Sequence, residues 1–224
     1  MPKKAWMSWS TGKDSAYALA RLLDDPAFDV TGLFTTVTDA FNRVSMHAVR
    51  ESLLEAQAER LNLPLHKVMI PFPCPNETYE QKMKKLVSKA KGDGVEAMAF
   101  GDLFLQDVRA YRIKTLDGTG IAPLFPIWNL DTHELAQDMI ARGFRAIITC
   151  VDEKKLDGGF SGRRFDQGFL TDLPEGIDPC GENGEFHSFV YDCPLFAKPI
   201  AIAAGGQTSR EGFTFTDILP ADEG

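Results

Sequence analysis

The sequence predicts an α/β protein: a doubly wound parallel sheet over residues 1–118, followed by a smaller α+β domain over residues 119–224. Two observations lead there. In the first half, short β-branched or apolar runs alternate with segments of helical periodicity, and strands separated by helices pair in parallel. Past residues 115–125 that rhythm stops. Pro123, Pro126 and Trp128 mark a bend or linker, and Gly, Asp and Pro dominate between residues 156 and 183.

The elements follow in order. Residues 5–9 form a short apolar run. Residues 15–23 carry Ala16, Leu19, Ala20 and Leu23 on one helical face. Residues 30–37 are β-branched and aromatic, which suits a strand. Ser45 is placed to cap a helix with Val49, Leu53 and Leu61, ended before Pro64. Residues 66–70 read as a third strand. Thr78 with Gln81 has the capping-box spacing for a helix through Met83, Leu86 and Ala90, closed by Gly92 and Gly94. Residues 96–103 make a fourth strand. In the second half, Asp131 with Glu134 opens a helix carrying Leu135, Met139 and Ile140 and closed by Gly143. Residues 145–151 and 185–192 read as strands.

Composition narrows the function. Of 224 residues, 44% are hydrophobic and 25% charged, so the chain can bury a core and is not disordered. The net charge of -8 argues against broad binding to duplex nucleic acid, which needs a basic face, though it leaves room for a small basic pocket. No apolar run is long enough for a membrane-spanning helix, and residues 5–10 are too short for a signal-peptide core before Lys13 and Asp14. The four cysteines, at 74, 150, 180 and 193, have neither zinc-knuckle nor redox spacing; Cys150 reads as a buried hydrophobe. No cluster suits tight zinc binding. The expected location is the cytoplasm.

In a doubly wound sheet, ligands bind beyond the carboxyl ends of the strands, which directs attention to the loops after Trp9, Val37 and Gly101. The first of these is the sharpest feature: Ser10-Thr11-Gly12-Lys13-Asp14-Ser15, leaving a strand and opening a helix. Free N–H groups and the dipole at a helix start favour an anion. Gly12 lets the backbone approach closely, Lys13 adds charge, and Ser10, Thr11 and Ser15 add hydroxyl donors. A carboxylate at Asp14 makes sense where Mg²⁺ bridges acid and phosphate oxygens. The run lacks the first Gly of the Gly-Lys-Ser/Thr phosphate loop and the repeated glycines of a dinucleotide fingerprint. The bland alternative is a surface turn with a helix cap.

The second constellation is Gly181-Glu182-Asn183-Gly184-Glu185-Phe186-His187-Ser188-Phe189, after Asp178-Pro179-Cys180. Glu182 and Glu185, flanked by glycines, can bind Mg²⁺, hold ammonia or an amine, or act as a base. A solvated acidic hairpin loop is the alternative on these residues alone.

The first run resembles the PP-loop, Ser-Gly-Gly-Lys-Asp-Ser, of the N-type ATP pyrophosphatases, with Thr11 in place of the usual Gly. A β-branched residue is poorly suited to a positive φ. The second run resembles the acidic glycine-rich signature of the diphthine–ammonia ligase family within that superfamily. Further matching pieces occur in order: Gly101-Asp102 with Arg109, Tyr111 and Arg112; residues 123–128; residues 143–148; and residues 192–196. The resemblance runs from Trp9 to about Pro199.

It implies an ATP-binding domain of the adenine nucleotide α-hydrolase type, covered by a smaller substrate-facing domain. It also implies that ATP is cleaved between the α- and β-phosphates with Mg²⁺ present. AMP is then passed to a carboxylate of diphthine, a modified histidine of elongation factor 2, and displaced by ammonia. On this reading Lys13, Asp14, Glu182 and Glu185 are the catalytic candidates. Ser10, Thr11, Gly12, Lys13, Asp14, Ser15, Asp39, His47, Gly101, Asp102 and Arg109 are the nucleotide-binding candidates, with Asp14 the candidate for Mg²⁺. Thr36 and Thr38 are similar by position. Arg112 and Lys114 extend the basic cluster, which is alternatively a solvated helix face, and Gly162-Arg163-Arg164 is a second basic spot. Phe100, Phe104, Phe125 and Trp128 read as core. A small-metabolite acceptor is the alternative substrate, a non-catalytic nucleotide sensor the alternative class, and a homodimer the base-rate assembly.

Overall fold

In a computed structural model the structure describes residues 1–38, 43–44 and 49–221. The elements in the first half are β1 (Lys3–Ser8), α1 (Lys13–Leu23), β2 (Phe28–Thr38), β3 (Arg43–Val44), α2 (Glu51–Leu61), β4 (Leu65–Ile70), α3 (Asn76–Gly92), β5 (Ala97–Ala99), α4 (Gln106–Leu116) and β6 (Ala122–Leu124). There follow α5 (Thr132–Ala141), β7 (Arg145–Asp152), a 3₁₀ turn at Gly158–Phe160, β8 (Arg164–Phe165), α6 (Gln167–Asp172), β9 (Phe186–Asp192), β10 (Ile202–Arg210) and β11 (Phe213–Pro220).

Five parallel strands lie in the order β4-β2-β1-β5-β6, with β3 antiparallel to the end of β2. The chain winds outward from β1 through β2 and β4, then returns to the other side of β1 with β5 and β6. The order therefore reverses between β1 and β5, and a crevice opens there at their carboxyl ends. The second sheet is antiparallel, with β7 pairing β8, β9 and β11, and β10 closing a hairpin with β11. This matches the expected doubly wound sheet followed by α+β structure.

The parallel sheet continues past residue 118, because residues 122–124, read as part of a linker, form its last strand beside β5. The fourth expected strand is shorter than its apolar run: only Ala97–Ala99 pairs, since the chain must leave the sheet at Gly101 to build a loop. α2 starts at Glu51 with Arg50 at its N-cap, and the proposed Ser45 cap lies outside the described residues. α3 starts at Asn76 after Pro75, so Thr78 sits inside the first turn rather than capping it. The Asp131 cap is formed as expected, its side chain accepting from the N–H groups of His133 and Glu134. The β10–β11 hairpin had no counterpart among the expected elements.

β1 shows how the two layers form. Its alternation sends Ala5 and Met7, followed by Trp9, to one face and Trp6 to the other. Trp6 joins Phe34, Met83, Leu86, Phe100 and Leu116 in a cluster beneath α3 and α4. Met7 and Trp9 join a larger cluster that runs through Leu19 of α1 into Phe169, Phe189 and Val190 of the second half. α1 is thus held between both sheets, which explains why its buried set is wider than a single stripe. Tyr17, Ala18 and Leu22 are buried as well as Ala16 and Leu19, while Leu23 is exposed. Tyr17 Oη donates to Asp138 of α5, and Arg50 pairs with Asp217 of β11, adding polar ties between the halves. Cys150 is buried, as expected. Among the described residues, no helix is long and apolar enough to cross a membrane.

A candidate phosphate-binding site at the sheet crossover

The loop after β1 leaves the sheet at the crossover, where Trp9 N–H still donates to Phe34 O at 2.8 Å. Thr11 has φ 72° and Gly12 φ -91°. The left-handed position is therefore the threonine, and the glycine has an ordinary extended backbone. The surroundings fix this strained geometry. Thr11 O accepts from Val190 N–H of β9 at 3.0 Å and from Gln57 Nε2 of α2 at 3.0 Å. Gln57, fully buried, also donates to Val190 O at 2.6 Å and accepts from Trp9 Nε1 at 2.8 Å. Strain persists where such contacts over-determine it. The Thr11 hydroxyl is buried without a hydrogen-bond partner and is absent from the cleft lining.

α1 then opens at Lys13 with no side chain capping its first turn from the N-cap residue. Lys13 N–H donates to Ser188 Oγ of β9 at 3.3 Å. Ser15 Oγ donates to Gly12 O at 2.9 Å, and Ser10 Oγ donates to Ser15 Oγ at 3.1 Å, so the loop hydroxyls are ordered before any ligand arrives. Gly101, at the end of β5, packs directly on this helix start. A Cβ there would lie 3.0 Å from Ser15 N and 3.1 Å from Asp14 O, so only glycine lets strand and loop meet.

The third wall comes from the second half. Asp178 organises its loop: its carbonyl accepts from Gly181 N–H at 2.9 Å and its Oδ2 from Glu182 N–H at 2.8 Å. Gly181 has φ 72°, and a Cβ would lie 2.8 Å from Phe186 O. The loop carries Glu182 across to the first half, where Glu182 Oε1 accepts from Leu103 N–H at 2.8 Å.

The resulting cleft, about 250 Å³, is lined by Ser10, Lys13, Asp14, Ser15, Gly101, Asp102, Arg112, Glu182 and His187, among others. Two segments far apart in the chain, 167 residues between Lys13 and Cys180, are thus brought onto one site. Lys13 is buried between the Phe165 and Phe186 rings, at 5.4 and 5.3 Å, and donates to both Asp14 oxygens at 2.9 Å and to Cys180 O. Burial alone would lower its pKa, but the charge of Asp14 and the groups of the 178–180 loop outweigh that and hold it above its usual value. Burial, then the charges of Asp14 and Asp102, push Glu182 up to about 7, against the pull of the Leu103 and Phe104 amides. Burial likewise raises Asp102, with Arg112 opposing it.

Other sequence candidates fall elsewhere. Glu185 is buried away from the cleft, where its Oε1 accepts from Asp178 N–H at 3.3 Å and Asn183 Nδ2 at 3.0 Å, bracing the loop that presents Glu182. Arg109 does not line the cleft; its guanidinium lies 5.0 Å from the Phe125 ring and 5.0 Å from the Trp128 ring, because that face of α4 turns toward residues 125–128. Arg163 pairs with Asp172 and covers Phe160. Asp39 and His47 lie outside the described residues. Gln57 was not foreseen; a lone glutamine in a helix has no sequence signal, since its role depends on three backbone and ring partners from distant segments.

The crossover crevice, with its hydroxyl loop and the acidic loop beside it, defines an α/β protein with a Rossmann-like parallel sheet and a candidate anion site at the sheet's switch point. Comparison with known families makes this specific. The diphthamide synthase N-terminal domain matches residues 3–119, and the diphthamide synthase C-terminal domain matches residues 131–221. The chain belongs to the diphthamide synthase family. It is 27% identical to diphthine–ammonia ligase of Bos taurus over 238 residues, covering 93% of this chain and 86% of that protein. It is 28% identical to diphthine–ammonia ligase of Homo sapiens over 222 residues, covering 86% and 80%. A protein of the same name in Schizosaccharomyces pombe is 24% identical, with only 30% of its length covered.

Proposed function

We propose that this chain is an ATP-dependent amide ligase that adenylates a carboxylate, releases pyrophosphate, and lets ammonia displace AMP. The acceptor is the diphthine residue of elongation factor 2, in keeping with the name its relatives carry. The observation that carries this is the convergence of the 10–15 loop and the Glu182 loop on one cleft. Two domains, the nucleotide-binding half and its cover, build that site together.

The residues perform the parts as follows. The start of α1, with Ser10 and Ser15, binds the β- and γ-phosphates through backbone N–H groups and hydroxyls. Lys13, held charged, stabilises the pyrophosphate as it leaves. Glu182, whose carboxyl titrates near 7, takes the proton lost when ammonia attacks the acyl-adenylate.

The described charged side chains of the cleft also fit a divalent cation. Lys13 and Arg112 face Asp14, Asp102 and Glu182, two cations against three carboxylates, so a polyanion needs further positive charge. Asp102 Oδ2 is buried without a hydrogen-bond partner. The described residues contain no ready-made cluster of three ligands, but Mg²⁺ on a nucleotide uses one or two carboxylates plus phosphate oxygens. Asp14 and Asp102 would hold it, and it would supply charge neutralisation along the phosphate chain.

The test is incubation with ATP, Mg²⁺, ammonium and elongation factor 2 carrying diphthine, with nucleotides separated by chromatography and the acceptor peptide weighed by mass spectrometry. AMP with conversion of carboxylate to amide is expected. ADP as product rejects the reading, and AMP without change in the factor moves the acceptor to a small metabolite.

A further inference from the structure

The cleft contains one cation whose binding capacity is not consumed by its neighbours. Among the described lining residues, Lys13 and Arg112 are the two fixed cations. Lys13 already donates to Asp14 and to Cys180 O. Arg112 differs. Its guanidinium carbon lies 5.0 Å from the centre of the Phe100 ring, and Phe100 is itself clamped against Phe34 and Phe125. Its ionic contact, Nε to Asp102 Oδ2 at 3.5 Å, is a long one. Both of those atoms are buried and lack a hydrogen-bond partner. Leaving the Arg112 N–H without an acceptor is costly, and a planar anion that accepts from the fork supplies one.

Two anions enter this cleft on the ligase reading, the nucleotide phosphates and the acceptor carboxylate. The phosphates already have the start of α1 and the Ser10 and Ser15 hydroxyls. Arg112 stands on the wall built by β5 and α4. Its side chain is 26% exposed, so the fork can be reached from solvent. We infer that Arg112 forms a carboxylate subsite, receiving the acceptor's carboxylate through its guanidinium fork before adenylation, with Asp102 holding the fork in place until then. This rests on the ligase reading above.

The experiment compares wild type, Arg112→Ala and Arg112→Lys in the amidation assay with diphthine-bearing elongation factor 2. The affinity of each for a non-hydrolysable ATP analogue is measured separately by calorimetry. Loss of a charge-assisted bidentate pair should raise KM for the factor about 10- to 100-fold while the analogue Kd stays within about twofold. Arg112→Lys, which keeps charge but not the fork, should recover only part of the loss. Wild type should also bind the diphthine form of the factor more tightly than the amidated form, and Arg112→Ala should bind both alike. An analogue Kd weakened by the same factor as KM assigns Arg112 to the phosphates and overturns the subsite, as does an unchanged KM in a folded variant. Should Arg112→Ala fail to fold by circular dichroism, the Arg112→Lys values decide on the same criteria. If wild type forms no amide at all, it is the ligase reading that falls.

Discussion

Threonine 11 offers a direct test of how the second half of the chain shapes the phosphate loop. Its φ of 72° costs an L-residue roughly 1–2 kcal/mol, and a β-branched side chain is among the least suited to it. Its hydroxyl is buried with no partner, a further cost of about 1–3 kcal/mol. Replacing it with glycine relieves both, but loses about 0.8 kcal/mol for each of two buried carbons and about 0.5–1 kcal/mol of unfolded-chain entropy. The sum places Thr11→Gly between about 0.6 kcal/mol less and about 3 kcal/mol more stable than wild type. The sharper comparison is Thr11→Gly against Thr11→Ala, which differ only in the Cβ. In ordinary backbone alanine leads by about 1.3–1.8 kcal/mol, from its buried carbon and its smaller unfolded-chain entropy. Here the strain of about 1–2 kcal/mol on a Cβ cancels that lead, so the two variants should lie within about 1 kcal/mol, or roughly 2–4 °C in Tm for a chain of this size. Urea unfolding and thermal melts of the two variants measure it. Alanine ahead by the full margin of ordinary backbone would refute a left-handed residue at this position and the account of its strain.

Three other outcomes follow from the same site. Gln57→Ala should destabilise by about 3 kcal/mol, because it strips hydrogen bonds from Trp9 Nε1, Thr11 O and Val190 O in a dry interior, and a melt within a degree of wild type would contradict that. Lys13→Met should abolish AMP formation and also lower Tm, since the ammonium neutralises Asp14 and ties α1 to Cys180; a variant that melts normally and still forms AMP would remove both roles. Glu182 binds its proton more tightly when folded, at about 7, than its ordinary value of 4.5, so its contribution favours the fold at low pH and is lost as pH rises through that window. Glu182→Gln should therefore gain stability relative to wild type as pH rises from about 4.5 to about 7, and a gap that does not change with pH would sink this assignment.

The α/β class, the alternation of strands and helices and the strand-to-helix loop at residues 10–15 were all legible in the residues, because periodicity and a helix-start motif are local properties. The β10–β11 hairpin was not, since Ile202–Arg210 is largely exposed and carries little alternation. Of the paired glutamates, spacing alone could not say which faces the ligand. Glu182 crosses to Leu103, while Glu185 turns inward against Asp178, a choice made by the positive φ of Gly181 and the Asp178 turn. Arg109 and Arg112 are equally basic in sequence and share a face of α4, yet one packs on Phe125 and Trp128 while the other, about a turn further on, lies over Phe100 and lines the cleft.

The sequence by itself determined the α/β class and the loop that leaves the first strand and opens α1, because the residues that make them are contiguous. Tertiary structure alone decided that the site is shared. Val190 and Ser188 of β9 and Gln57 of α2 hold the loop, and the 178–188 segment closes it, because groups far apart in the chain meet only when the two sheets pack against opposite sides of α1.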